Sequence, residues 1–299
     1  MTHPEPIRLP ALLGDYPVTL ALKRGEVRSP YVAFDFADVK VPSSAFKQVV
    51  RDLKFDFAEL SIVTYLMAKA YRKPLVLLPA VLIGRFQHPY IVYNAERGHL
   101  SPGDLAGCRI AIRSYSVTTV TWIRGILASD YGLDLDRVKW VTFEEPHVAE
   151  YPDPKTVERA APGKDLMTML LEGEVDAAIV GDRMPKDPRL KTLFPDPAAE
   201  AQSWHKRNGA IQINHMVVVK DSLSKSNPQA VREIYRLLAE SKKAAGVPAA
   251  GETDMNPFGV EANRRNLEVA IDYVWRQGLI PRRFEVNELF DDVTRTPGK

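Results

Sequence analysis

Five short segments of the sequence place acids, bases and hydrogen-bond donors where a strand-like run gives way to a turn or a helix. The densest is the stretch from Arg113 to Trp122, with Ser114, Tyr115, Ser116, Thr118 and Thr119 between them. Backbone N–H groups at a helix start, joined by several hydroxyls, form a cradle for a carboxylate or phosphate. The simpler reading is that Ser114 or Ser116 is only an N-cap. The second segment is Phe57-Ala-Glu-Leu-Ser61, where Glu59 closes an otherwise core-like strand and Ser61 can cap the helix that follows. In the third, Gly84-Arg-Phe-Gln-His-Pro89, Arg85 suits a carboxylate held by two parallel hydrogen bonds. His88 in the same turn suits proton transfer near neutral pH. Asn214-His215 opens an apolar run, and Gly181-Asp-Arg183 adds Arg183 at a strand end.

Other chemistries lack their residues. The sequence contains no HExxH, GxSxG, Walker A or GxGxxG pattern, so zinc-protease, hydrolase-elbow and nucleotide readings have no signature. The single cysteine, Cys108, excludes an intramolecular disulfide framework and reads as a buried structural thiol. His88, His215 and Glu59 would be the set for a facial metal triad, which spacing neither supports nor rejects. His3, His99, His147 and His205 sit in no comparable context. A net charge of +2, from 40 basic and 38 acidic residues, leaves no case for a nucleic-acid partner. The longest apolar stretch, Leu75 to Gly84, is interrupted by Pro79 and is about half a membrane span. No secretory signal is visible at the N-terminus, so a cytoplasmic protein is expected, or a periplasmic one if the sequence is a trimmed mature form.

The elements that would position these groups alternate between strand and helix. At 299 residues, with 45% hydrophobic and 26% charged residues, the chain is globular and long enough for two domains. Strands are expected at 18–22, 55–59, 75–78, 90–93, 109–112, 138–143, 175–180 and 215–219. Helices are expected at 62–71, 117–131, 166–172, 198–207, 228–245 and 260–277. The segment 144–162, with four prolines, reads as an irregular surface loop. Such alternation predicts an α/β architecture with largely parallel, covered sheets. A turn-rich exit after Tyr93 and an apolar return at Met216 predict a discontinuous first lobe (1–94 and 214–299) and an inserted second lobe (95–213). Two hinge strands would then flank a ligand cleft lined by loops at the carboxyl ends of strands. His88 and His215 are expected to face each other at its mouth.

At these residues the chain resembles the 4,5-dihydroxyphthalate decarboxylase family, whose fold is similar to type 2 periplasmic binding proteins. The resemblance is carried by Phe57-Ala-Glu-Leu-Ser61 with Tyr65-Leu-Met-Ala68, the Arg85–His88 turn, and Trp122-Ile-Arg-Gly-Ile-Leu127 with Asp130-Tyr-Gly132. It continues through Leu193-Phe-Pro-Asp196, His215-Met-Val-Val-Val219, the Asn256–Arg264 segment and Gln277-Gly-Leu-Ile-Pro281. Gln87 departs from the family pattern, which has Arg there. The resemblance implies a small hydroxylated aromatic dicarboxylate that loses CO₂ after protonation of its ipso carbon. Arg85, Ser116 and Thr118 or Thr119 would clamp carboxylates, and Glu59, His88 and His215 would compete for the acid and base roles. No organic cofactor is required, because the phenol ring is its own electron sink, and an oligomer is left open. A non-catalytic solute-binding protein serving a transporter is the alternative with the same cradle.

Overall fold

The structure, a computed structural model, describes residues 5–181 and 186–298. The chain divides into two compact units, each with its own sheet. The first runs to Arg85 and resumes over Ile213–Trp275 and from Ile280; the second is Phe86–Gln212 with Arg276–Leu279.

In the first unit five strands lie in the order Val32–Phe36, Ile7–Leu12, Phe57–Ser61, Ile213–Lys220, Leu75–Gly84. The first three are mutually parallel, and Ile213–Lys220 runs antiparallel to both of its neighbours. The sheet is therefore mixed rather than largely parallel. Every residue of Phe57–Ser61 is buried, as expected for a strand covered on both faces. Pro79 is tolerated because Leu75–Gly84 is an edge strand, and the ladder skips there: Met216 faces Val81 while Val217 faces Leu78.

One expected strand is a helix. Residues 18–22 lie in the helix Pro17–Lys23, which buries Val18, Ala21 and Leu22. That spacing of three and four residues is a helical stripe, but in so short an apolar run it is indistinguishable from a buried strand. Pro17 supplies a preset φ at the first helical position. The Tyr16 N–H donates to Thr19 Oγ1 at 2.9 Å, and Leu22 N–H to Ser241 Oγ at 3.1 Å, tying this helix to the helix Pro228–Ala244. Conversely, Ile7–Leu12 escapes a reading by pattern because Pro10 interrupts it.

In the second unit six strands lie in the order Leu190–Thr192, Ile91–Asn94, Ala177–Ile179, Arg109–Ile112, Lys139–Thr142, Val157–Arg159. Ile91–Asn94 pairs antiparallel with both neighbours, so it is an interior strand of this sheet. The division between units falls between Arg85 and Phe86 accordingly, upstream of the expected residue 94. The segment 144–162 is not wholly irregular, since Val157–Arg159 adds a parallel edge to Lys139–Thr142. The helix Leu166–Glu172 follows its local signals: Asp165 accepts from the N–H groups of Met167 and Thr168 at 3.0 Å, and Gly173 takes φ +77° at its end. Among the described residues no helix is long and apolar enough to cross a membrane.

Candidate active site

The strand pairing in the first unit builds a hydrogen-bonded carboxylate–imidazole pair. Cα partners place His215 opposite Ser61 and Val217 opposite Glu59, so Phe57, Glu59 and Ser61 share one face with Val219, Val217 and His215. Along that face the chemistry changes from Phe57 and Val219, both fully buried in the apolar core, to a cluster of polar groups. Glu59 is itself completely buried. Its Oε2 accepts from the Gly14 N–H at 2.8 Å, and its Oε1 accepts from the Tyr16 hydroxyl at 2.6 Å and from His215 Nδ1 at 2.5 Å. Three donors converging on one buried carboxylate satisfy its acceptor positions.

With its Nδ1–H given to Glu59, His215 leaves Nε2 with no partner among the described residues. Its ring also meets Phe46 edge-on at 5.2 Å, so the imidazole is held in orientation as well as in tautomer. Gly14 is part of this arrangement because a Cβ there would lie 2.5 Å from the Tyr16 ring. Tyr16 and Gly14 were not legible as site residues, as their link to Glu59 spans more than forty positions. Ser61 stands at the N-cap of the helix Ile62–Ala70, yet its hydroxyl donates to Thr64 Oγ1 at 2.7 Å instead of capping it. Arg85, half-buried, is the last residue of this unit.

The second unit carries the hydroxyl-rich turn. Ser114, Tyr115, Ser116, Thr118, Thr119 and Trp122 are all buried. The helix they precede, Thr118–Tyr131, has Val117 at its N-cap, which makes no side-chain cap hydrogen bond. Neither Ser114 nor Ser116 is therefore the cap. The Ser114 carbonyl accepts the Val117 N–H at 3.3 Å, closing a turn, and the buried Ser114 Oγ has no partner. Trp122 packs edge-on to Trp204 at 5.8 Å.

His88 also belongs to this unit, in the short 3₁₀ turn His88–Tyr90. Its ring lies edge-on to Phe194 at 5.5 Å, and its buried Nδ1 has no partner among the described residues. Burial pushes its pKa down to about 4, against a weaker upward pull from Asp130. Beside it Gln87 is fully buried and its N–H donates to Gln212 Oε1 at 2.6 Å. Arg183 lies outside the described residues. Among the described residues no three His, Cys, Asp or Glu side chains are grouped to ligate a metal.

Comparison with known proteins follows this geometry. The chain is 28% identical over 252 residues to a 4,5-dihydroxyphthalate decarboxylase of Comamonas testosteroni, covering 80% of this chain and 76% of that one. It is 30% identical over 213 residues to a 4,5-dihydroxyphthalate decarboxylase of Pseudomonas putida, covering 67% of this chain and 82% of its relative. No family profile matches. Among solved structures, the periplasmic aliphatic sulphonate-binding protein SsuA of Escherichia coli superposes with a TM-score of 0.60 at 16% identity, covering 96% of this chain and 97% of that one. The alkanesulfonate-binding SsuA of Xanthomonas axonopodis does so with a TM-score of 0.56 at 15% identity, covering 96% and 99%. These last two fix the fold alone, as the type 2 periplasmic-binding-protein class. The relatives fix the lineage: the chain belongs to the 4,5-dihydroxyphthalate decarboxylase family, a family of enzymes.

Proposed function

We propose that the protein decarboxylates a ring-hydroxylated aromatic dicarboxylate such as 4,5-dihydroxyphthalate, with His215 donating the proton that replaces CO₂. The observation that carries this reading is the imidazole held on Glu59, with Nε2 left unpartnered. A protein that only binds an anion needs donors; it has no use for a base whose tautomer is set by a buried carboxylate.

Direct loss of CO₂ from an aryl carboxylate would leave a carbanion in the ring plane, unable to share its charge with the ring. Protonation of the ipso carbon first avoids that state. A hydroxyl para to the departing carboxylate, once its proton has passed to solvent water, pushes electron density to the ipso carbon. That carbon takes a proton from the Nε2 of imidazolium His215. The bond to the carboxylate carbon then breaks, CO₂ leaves, and the electron pair restores the aromatic ring. Glu59 stays paired with Nδ1–H throughout and balances the charge on the ring nitrogens. His88, held neutral at physiological pH, lacks the imidazolium proton a general acid needs, which supports His215 as the donor in this reading.

Carboxylate recognition is assigned to Arg85 and to the Ser114–Thr119 turn, where the buried Ser114 hydroxyl has no partner among the described residues and can donate. The test is to incubate the purified protein with 4,5-dihydroxyphthalate and a panel of hydroxybenzoates, following CO₂ release and binding together. Release of CO₂ dependent on a hydroxyl para to a carboxylate is the expected result. Binding with no release from any member would sink the decarboxylase reading and favour the solute-binding one.

A further inference from the structure

Arg124 lies nearly two turns inside the helix Thr118–Tyr131 and is completely buried. Such burial of a guanidinium is costly unless its donors are satisfied. Here only one is: Nη2 donates to the Tyr115 carbonyl at 2.8 Å, while Nε and Nη1 have no partner among the described residues. The guanidinium stacks on the Tyr115 ring, 3.6 Å from its centroid, with the Trp140 ring at 5.5 Å. No carboxylate among the described residues pairs with it. Asp153, whose field reaches it, is itself paired with Arg159 at 3.3 Å. A charge kept under these conditions is expected to have a use beyond packing.

The peptide plane supplies that use. In a trans peptide the C=O and the following N–H point in opposite directions. With the Tyr115 carbonyl drawn onto Arg124, the Ser116 N–H must point away from the buried guanidinium, and it has no partner among the described residues. The same stacking fixes the Tyr115 ring. The adjoining buried Ser114 hydroxyl has the same demand for an acceptor, with no partner among the described residues.

We infer that Arg124 is a positioning residue for carboxylate recognition: it locks the Ser114–Ser116 turn so that the Ser116 N–H is presented as a donor, and it sets a positive charge with no paired carboxylate among the described residues beneath that turn. The inference rests on the reading of this turn as the carboxylate-binding element. It distinguishes Arg124 from Ser116 and Thr118, which would touch the ligand themselves.

The experiment uses the full-length protein with Arg124→Ala and Arg124→Lys, and phthalate as an unreactive probe. Phthalate affinity is read by tryptophan fluorescence, alongside KM and kcat for 4,5-dihydroxyphthalate. Loss of an oriented, charge-supported donor should raise the phthalate Kd and the KM of Arg124→Ala by about 10–100-fold, with kcat within about threefold. Arg124→Lys keeps the charge without the planar fork and should recover most of the loss. Guanidinium ion at about 10 mM, far below denaturing concentrations, should recover binding by Arg124→Ala where the same concentration of sodium does not. An unchanged phthalate Kd in Arg124→Ala overturns the inference. So does a loss that neither guanidinium nor Arg124→Lys recovers. If Arg124→Ala does not fold, Arg124→Lys decides: a Kd raised by about three- to tenfold supports the inference, and an unchanged Kd overturns it. Failure of wild-type protein to bind phthalate removes the carboxylate reading and this inference together. Binding without CO₂ release removes only the proposed reaction.

Discussion

His215 and His88 are the same residue type placed in opposite physical settings. In the first unit, His215 gives its Nδ1–H to a buried carboxylate and retains a second nitrogen with no partner among the described residues. In the second unit, His88 has no carboxylate on either nitrogen and packs edge-on against Phe194, with its pKa driven down to about 4 by burial. The first environment orients an imidazole; the second suppresses the charge on one. A histidine near a strand end is thus fixed in orientation and tautomer only where a neighbouring strand delivers an acceptor to one of its nitrogens.

The largest effect expected from this contrast is on turnover. His215→Asn should lower kcat by about 10²-fold or more, the scale of a lost general acid, with substrate affinity changed much less. His88→Asn should leave kcat within about threefold. Equal losses of turnover in the two variants, measured as CO₂ release, would break the comparison.

The next effect is on stability against pH. Between about pH 6.5 and about pH 4 the unfolded chain takes up a proton at residue 88 that the folded chain refuses. The contribution of neutral His88 is therefore complete above that window and lost as pH falls through it, by up to about 3 kcal/mol. Urea titrations at the two ends of the window should show a flatter pH dependence in His88→Gln than in the wild type. An unaltered slope would show that this imidazole is not held neutral.

A comparable effect is expected at the hydroxyls of the second unit. Replacing Thr118 and Thr119 together by Val should weaken carboxylate binding by about 1–3 kcal/mol if two buried hydrogen bonds to the ligand are lost. Calorimetry with phthalate checks this, and unchanged affinity would make both hydroxyls purely structural. The smallest effect sharpens the first unit's side of the comparison. Tyr16→Phe removes one of three donors to Glu59 and should cost about 1 kcal/mol of transition-state stabilisation. Gly14→Ala should match it, because the new Cβ displaces the Tyr16 ring from its place over Gly14. A silent Tyr16→Phe beside a damaging Gly14→Ala would mean that only the Gly14 backbone donor matters.

What the sequence alone determined about this protein is local. Strand-to-helix alternation, the α/β class, and the helix Leu166–Glu172 with Asp165 before it and Gly173 after it follow from periodicity and capping, which act within a few residues. Glu59 and His215 were legible as candidates for the same reason, as polar residues at the ends of apolar runs. Tertiary structure alone decided which candidates meet. The His215–Glu59 bond spans 156 positions, and it exists because Ile213–Lys220 inserts antiparallel beside Phe57–Ser61 in one register. A shift of one residue would turn His215 to the opposite face. Residues 17–23 are helical only because Val18, Ala21 and Leu22 find a core to cover, a choice that a seven-residue pattern leaves open. Arg124 reads in sequence as one charge on an amphipathic helix; its burial under Tyr115 comes from packing, where burial and hydrogen-bond partners are set by residues distant along the chain.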